Sequence, residues 1–203
     1  MSADVLDARS ILVHLIQSKS TPLANLPEAF GLYALRDHAG EIRYIGCTPK
    51  ATEGFRTRIF NKHATGSEGR SHKFTQAYCV GRMWRYCKKL HPPQAFAEQC
   101  ADDASDAKRL RNAFVRTFCS ASYFTVPTAT IGANYFSLLT GLKAQVQAMA
   151  PAAMREWEGV AFRAMPEPSD LVDRLLGTMP HLQQAVERQR AIWCRHVEAT
   201  IRL

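Results

Sequence analysis

The sequence predicts an α+β fold: a small three-stranded antiparallel sheet flanked by helices, with an N-terminal helix before it and a helical extension after it. Three observations predict it. Two β-prone runs, residues 30–35 and 42–46, flank the polar turn Asp37-His38-Ala39-Gly40, which is the pattern of a hairpin. A third run, 122–126, closes at Pro127. Around these runs, apolar residues recur at helical spacing.

The elements follow in order. Val5, Ile11, Leu12, Leu15 and Ile16 predict an amphipathic helix over 3–18, ended by Pro22 and Pro27. His14, among apolar neighbours, reads as structural. After the hairpin, Phe55, Ile59 and Phe60 suit one face of a helix whose rim carries Arg56, Arg58, Lys62 and His63. Residues 64–74 are a Gly/Ser-rich basic loop, and 75–80 a short strand or turn. His91-Pro92-Pro93 is a break. Residues 102–120 start with acids, which suits a helix N-terminus, and place Leu110, Ala113, Phe114 and Phe118 on one face. Leu138, Leu139, Leu142, Val146 and Met149 predict a helix over 132–150, stopped by Pro151. Beyond it, 170–177 and 180–201 read as two helices, the second with the stripe Leu182, Val186, Ile192, Val197 and Ile201 beside Trp193. The domains expected are an N-terminal helix (1–26), a core (27–151) and a helical extension (152–203).

Composition bounds the function. A chain of 203 residues with 46% apolar and 22% charged residues is ordinary for a globular protein. No apolar run is long enough to span a bilayer. The acidic start MSADVLDARS is unlike a signal peptide, so a cytoplasmic location is expected. Six cysteines, at 47, 79, 87, 100, 119 and 194, form neither a CxxC pair nor a Cys/His cluster, which argues against a zinc site or disulfide framework. The net charge is +8. Residues 51–90 hold nine Lys or Arg against Glu53 and Glu68, a net of +7 interleaved with Tyr78, Trp84 and Tyr86. A local basic excess with aromatics fits a polyanion, bound largely by counterion release.

The hairpin tyrosines, Tyr33 and Tyr44, each stand beside a glycine-bearing motif and precede a helix carrying arginines and a histidine. Phenols near an arginine that can grip phosphate in bidentate fashion suit a phosphate site. Gly31-Leu32-Tyr33, followed eleven residues on by Tyr44-Ile45-Gly46, then Thr48, Arg58 and His63, closely resembles the GIY-YIG nuclease family. The first motif has Leu for the usual Ile, and the second is intact. The resemblance is specific over residues 30–63 and weaker towards 150.

What the resemblance implies is a DNA endonuclease hydrolysing phosphodiesters with Mg²⁺ or Mn²⁺. Tyr33 or Tyr44 would position or deprotonate the water, Arg58 (or nearby Arg56) would steady the phosphate, and His63 would assist proton transfer. A phenol's reference pKa is about 10, so a tyrosine base is expected to be lowered by nearby cations. Contacts to nucleic acid are expected from Arg56, Lys62, Arg70, Lys73, Arg82, Trp84, Arg85 and Lys143, with DNA favoured over RNA and no membrane partner. A homodimer or protein partner could use residues 170–203.

The family's metal-binding glutamate would fall in the helix before Pro151. That helix, ANYFSLLTGLKAQVQAMAP, contains no acid, and Lys143 takes the glutamate's place; the asparagine expected shortly after the proline is also missing. A protonated lysine cannot ligate Mg²⁺. The metal ligand is therefore open: Glu98, Asp103, Asp106, Glu156 or Glu158 reaches the site, or another chain supplies the carboxylate. The alternative is a catalytically inactive GIY-YIG-like nucleic-acid-binding module, a subunit of a larger assembly, with Lys143 touching phosphate where the metal stood.

Overall fold

The computed structural model describes residues 6–65, 73–78, 100–127, 134–157 and 167–195. In chain order the elements are α1 (Ala8–Gln17), β1 (Thr21–Pro22), β2 (Gly31–Arg36), β3 (Ile42–Cys47), a π-helical segment (Thr57–His63), α2 (Lys73–Gln76), α3 (Ala101–Phe118), β4 (Ser120–Thr125), α4 (Tyr135–Met149), α5 (Ser169–Thr178) and α6 (Gln183–Trp193). Short 3₁₀ turns lie at Leu23–Asn25, Ala152–Arg155 and Pro180–Leu182. The fold is α+β. Two compact units emerge, one of residues 1–74 and 115–161, the other of 75–114 and 162–203.

In the first unit the sheet has four antiparallel strands in the order β1-β4-β2-β3, where the sequence predicted three. The added strand is two residues long and one of them is proline. It pairs only with the start of β4, Thr21 opposite Ala121, which is where an edge tolerates a residue with no N–H. The expected hairpin forms as β2 and β3. Its turn is held by Asp37, whose Oδ1 accepts the amides of Ala39 and Glu41, both at 2.9 Å. Gly40 there takes φ +87°.

Register sorts the hairpin side chains onto two faces. Leu32 faces Cys47 and Ala34 faces Ile45; Tyr33 faces Gly46 and Leu35 faces Tyr44. The first face packs on Ile11, Leu12 and Leu15 of α1 and on Leu139, Leu142 and Val146 of α4. Asp7 caps α1 by accepting the Ser10 amide at 2.9 Å. Arg36 holds the other end by donating to the carbonyls of Leu15 and Ile16. His14, expected to be structural, is exposed and meets Phe124 edge-on. The second face, with both tyrosines, carries the candidate site.

The second unit buries Leu110 and Phe114 of α3, Val172, Leu175 and Leu176 of α5, and Leu182, Val186, Ile192 and Trp193 in or before α6. The apolar stripe expected near the C-terminus is therefore core wherever it is described; Val197 and Ile201 lie outside the described residues. Arg188 grips both oxygens of Asp103, each at 2.8 Å. Arg190 bridges Glu167 at 2.7 Å and Asp173 at 2.8 Å. Residues 75–76, expected as strand or turn, close the short helix α2. Among the described residues no helix is long and apolar enough to cross a membrane.

Candidate functional site

The site is built around a fully buried phenol. Tyr33 projects from β2 beneath Phe55, beside Tyr123 on β4 and Tyr44 on β3. Gly46, directly opposite, makes the room: a Cβ there would stand 2.5 Å from Tyr33 Cζ and 2.6 Å from its hydroxyl. The glycine of the second motif is thus the space taken by the tyrosine of the first. Gly31 is required differently. Its φ is +151°, and a Cβ would run into the Phe124 carbonyl oxygen. Thr48 pins that glycine, accepting its amide at 2.9 Å on Oγ1 and returning its own amide to the Gly31 carbonyl at 3.0 Å.

The Tyr33 hydroxyl meets His63 Nε2 at 2.7 Å. His63 is itself buried, and Tyr44 packs against its ring edge with centroids 5.1 Å apart. The winding of the segment before His63 explains how it gets there. The sequence predicted an ordinary amphipathic helix. Instead the chain adopts i→i+5 bonding, seen in the Ala64 amide reaching the Ile59 carbonyl at 2.9 Å. That wider winding brings residues five apart closer to one face than an α-helix does, and Arg58 and His63 both act on the Tyr33 hydroxyl.

The two tyrosines are not equivalent. Tyr44 is half-buried and stacks on Tyr33 at 6.3 Å, with the rings inclined by 23°. It is the phenol that reaches the surface. Tyr33 does not, and its acidity is the reverse of the sequence expectation. Burial, then the neighbouring phenol of Tyr44, push its pKa well above 10.0; the charge and hydrogen bond of Arg58 only partly offset this. Desolvation outweighs the cations, so Tyr33 stays a neutral phenol.

A carboxylate does stand at the site, although the sequence reading passed over it. Glu53 is buried, and receives Lys62 Nζ at 2.6 Å on Oε1 and Arg58 Nη1 at 3.2 Å on Oε2, with Lys50 at 3.6 Å. Burial pushes its pKa up, but the hydrogen bond and charge of Lys62, then Arg58 and Lys50, outweigh burial and hold it below the usual value. Nothing local in the sequence marks it, since it lies in a polar stretch before the helical segment.

Lys143 lies on α4, which packs on β2 and β3. On the same helix, Gln147 donates to the Ile45 carbonyl at 2.8 Å, while a hydrogen bond with Thr140 and the charge of Lys143 act on the Cys47 thiol, two residues further along the strand. Burial raises the Cys47 thiol pKa; Lys143, Thr140 and Arg58 pull it back. The thiol therefore feels Lys143 and Arg58 together.

The acids among the described residues do not fit the divalent metal that the resemblance implies. Among the described residues no three His, Cys, Asp or Glu could hold one. Glu53 is already neutralised by cations. Glu156 is held by Arg43 at 2.7 Å, Asp103 by Arg188, and Asp106 by Arg109 at 2.9 Å. Glu98 and Glu158 lie outside the described residues.

Of the residues expected to serve the site, Tyr33, Tyr44, Arg58, Lys62 and His63 come together, and the charge of Lys143 is felt by Cys47 at the end of β3. Arg56 does not join them: it donates to the Ala24 carbonyl at 2.8 Å and lies against Phe60. Arg70, Arg82, Trp84 and Arg85 fall outside the described residues, and Lys73 is described only as the first backbone position of α2. Against known proteins, no family model matches the chain, nor does any curated protein or solved structure.

Proposed function

We propose that this chain binds the phosphate backbone of DNA through a GIY-YIG-like site that works without a metal ion. The observation that carries the reading is the pair Arg58 and Lys62, held together on one buried carboxylate beside the Tyr33–His63 contact. Lys143, which takes the place of the metal-binding carboxylate in the resemblance, adds a charge that acts on the Cys47 thiol as that of Arg58 does. An ammonium there supplies positive charge to a phosphate directly, as a divalent ion otherwise would. Arg58 and Lys62 add two partly exposed cations, and half-buried Tyr44 adds a ring for stacking or a hydroxyl for a phosphate oxygen. The +7 excess over residues 51–90 extends the same attraction along the chain.

The test is anisotropy of a labelled DNA duplex over a salt series in EDTA. Arg58→Ala and Lys143→Ala should each weaken binding and make the plot of log affinity against log salt shallower by about one. Unchanged affinity in both variants refutes this use of the site.

A second reading, hydrolysis of the bound phosphodiester, is favoured by one observation. The buried Tyr33–His63 hydrogen bond joins a phenol to an imidazole, two groups able to relay a proton, which binding alone does not need. Nicking of supercoiled plasmid with Mg²⁺ or Mn²⁺, lost in Tyr33→Phe and Arg58→Ala, would establish it; no nicking under either metal, with binding intact, removes it.

A further inference from the structure

We propose that Glu53 is the positioning residue of this site, a buried carboxylate that fixes Arg58 and Lys62 as a two-point clamp for one phosphate. The inference rests on the phosphate-binding reading above and deepens it. Each cation takes a different oxygen of the same carboxylate, Lys62 on Oε1 and Arg58 on Oε2. One rigid group therefore sets the spacing of two charges. The depth order matters as much. The Glu53 side chain is 6% exposed, Arg58 14% and Lys62 26%, so the cations offer more surface to an arriving anion than the acid does.

Free lysine and arginine side chains carry rotamer entropy that binding would otherwise have to remove. Anchoring them beforehand leaves a preorganised clamp. Three cations, Lys50, Arg58 and Lys62, pair with Glu53, and the Glu28 carboxylate beside Gly54 takes the Thr57 hydroxyl, so cations still outnumber acids here. The same arginine hydrogen-bonds the Tyr33 hydroxyl, so the clamp is tied to the Tyr33–His63 pair as well.

Simple charge counting gives the opposite expectation for a mutation. Removing a negative charge beside a polyanion site should strengthen binding. Positioning requires it to weaken. The experiment measures affinity for a short fluorescein-labelled DNA duplex and for inorganic pyrophosphate in wild type, Glu53→Gln, Glu53→Asp and Glu41→Gln. Glu41 is exposed in the hairpin turn, so its variant makes the same charge change without touching the clamp. Glu53→Gln should lose about tenfold in affinity with a salt slope shallower by about one. Glu53→Asp should fall between, and Glu41→Gln should equal or slightly exceed wild type.

Glu53→Gln binding as tightly as wild type, or tighter, overturns the inference. Should Glu53→Gln not unfold cooperatively, Glu53→Asp carries the test, and unchanged affinity there overturns it. If DNA binding depends on Arg58 but not on Glu53, the functional reading stands and the clamp fails. If pyrophosphate binds and depends on Glu53 while DNA does not bind, the clamp stands and the nucleic-acid reading fails. If neither probe binds wild type, both fall.

Discussion

The hydroxyl of Tyr33 and Nε2 of His63 lie 2.7 Å apart, both buried, thirty residues apart in the chain. A sheet strand and a π-wound segment meet at this bond. Removing the hydroxyl leaves a buried imidazole without this partner and takes a hydrogen bond from Arg58. Tyr33→Phe should therefore cost about 1–3 kcal/mol of stability, measured by urea unfolding at neutral pH. A loss below a few tenths of a kcal/mol contradicts the contact.

The same phenol sets an alkaline limit. Its folded pKa lies well above the ordinary 10.0, so above that pH the unfolded chain releases a proton that the folded chain keeps. The folded state then binds more protons, and stability falls as pH rises. The stabilisation is whole below pH 10.0 and is lost progressively above it. Tyr135, raised by burial, adds to the loss with the same sign. Unfolding measured across this range should show a shallower decline in Tyr33→Phe than in wild type; parallel declines contradict the assignment.

Gly46 should tolerate no side chain. An alanine there must push aside the Tyr33 ring, whose nearest atoms would be 2.5–2.7 Å from the new carbon. That ring is wedged among Phe55, Tyr44 and His63. Gly46→Ala should cost about 1–3 kcal/mol by the strain of overpacking, and should weaken DNA binding by moving Tyr44 and His63. Thermal unfolding and duplex binding check the two parts separately.

The hairpin and most helices were legible in the sequence because each is a local pattern: two β-prone runs around a polar turn, and apolar residues at helical spacing. The fourth strand was not. Two residues including a proline carry no strand signal, and Thr21–Pro22 exists only because β4 offers an edge. The π winding was also hidden, since Phe55, Ile59 and Phe60 suit an α-helix equally well and packing on the sheet selects the turn. The tyrosines were found from their motifs, but their difference was not. Residues 31–35 are all buried because both sheet faces are covered there, so alternation along β2 does not tell inside from outside. Glu53 was missed for a related reason. Its burial and its cations come from the tertiary fold, while in the sequence it is one acid in a polar run.

Lys143 is proposed to supply, without a metal, part of the charge that holds a phosphate at this site. The measurement that tests it most directly is duplex affinity of wild type and Lys143→Glu, each in EDTA and then in Mg²⁺ at matched ionic strength. Wild type should bind equally in both conditions, and Lys143→Glu should lose at least about tenfold in EDTA. Wild-type binding that disappears in EDTA and returns with Mg²⁺ contradicts it.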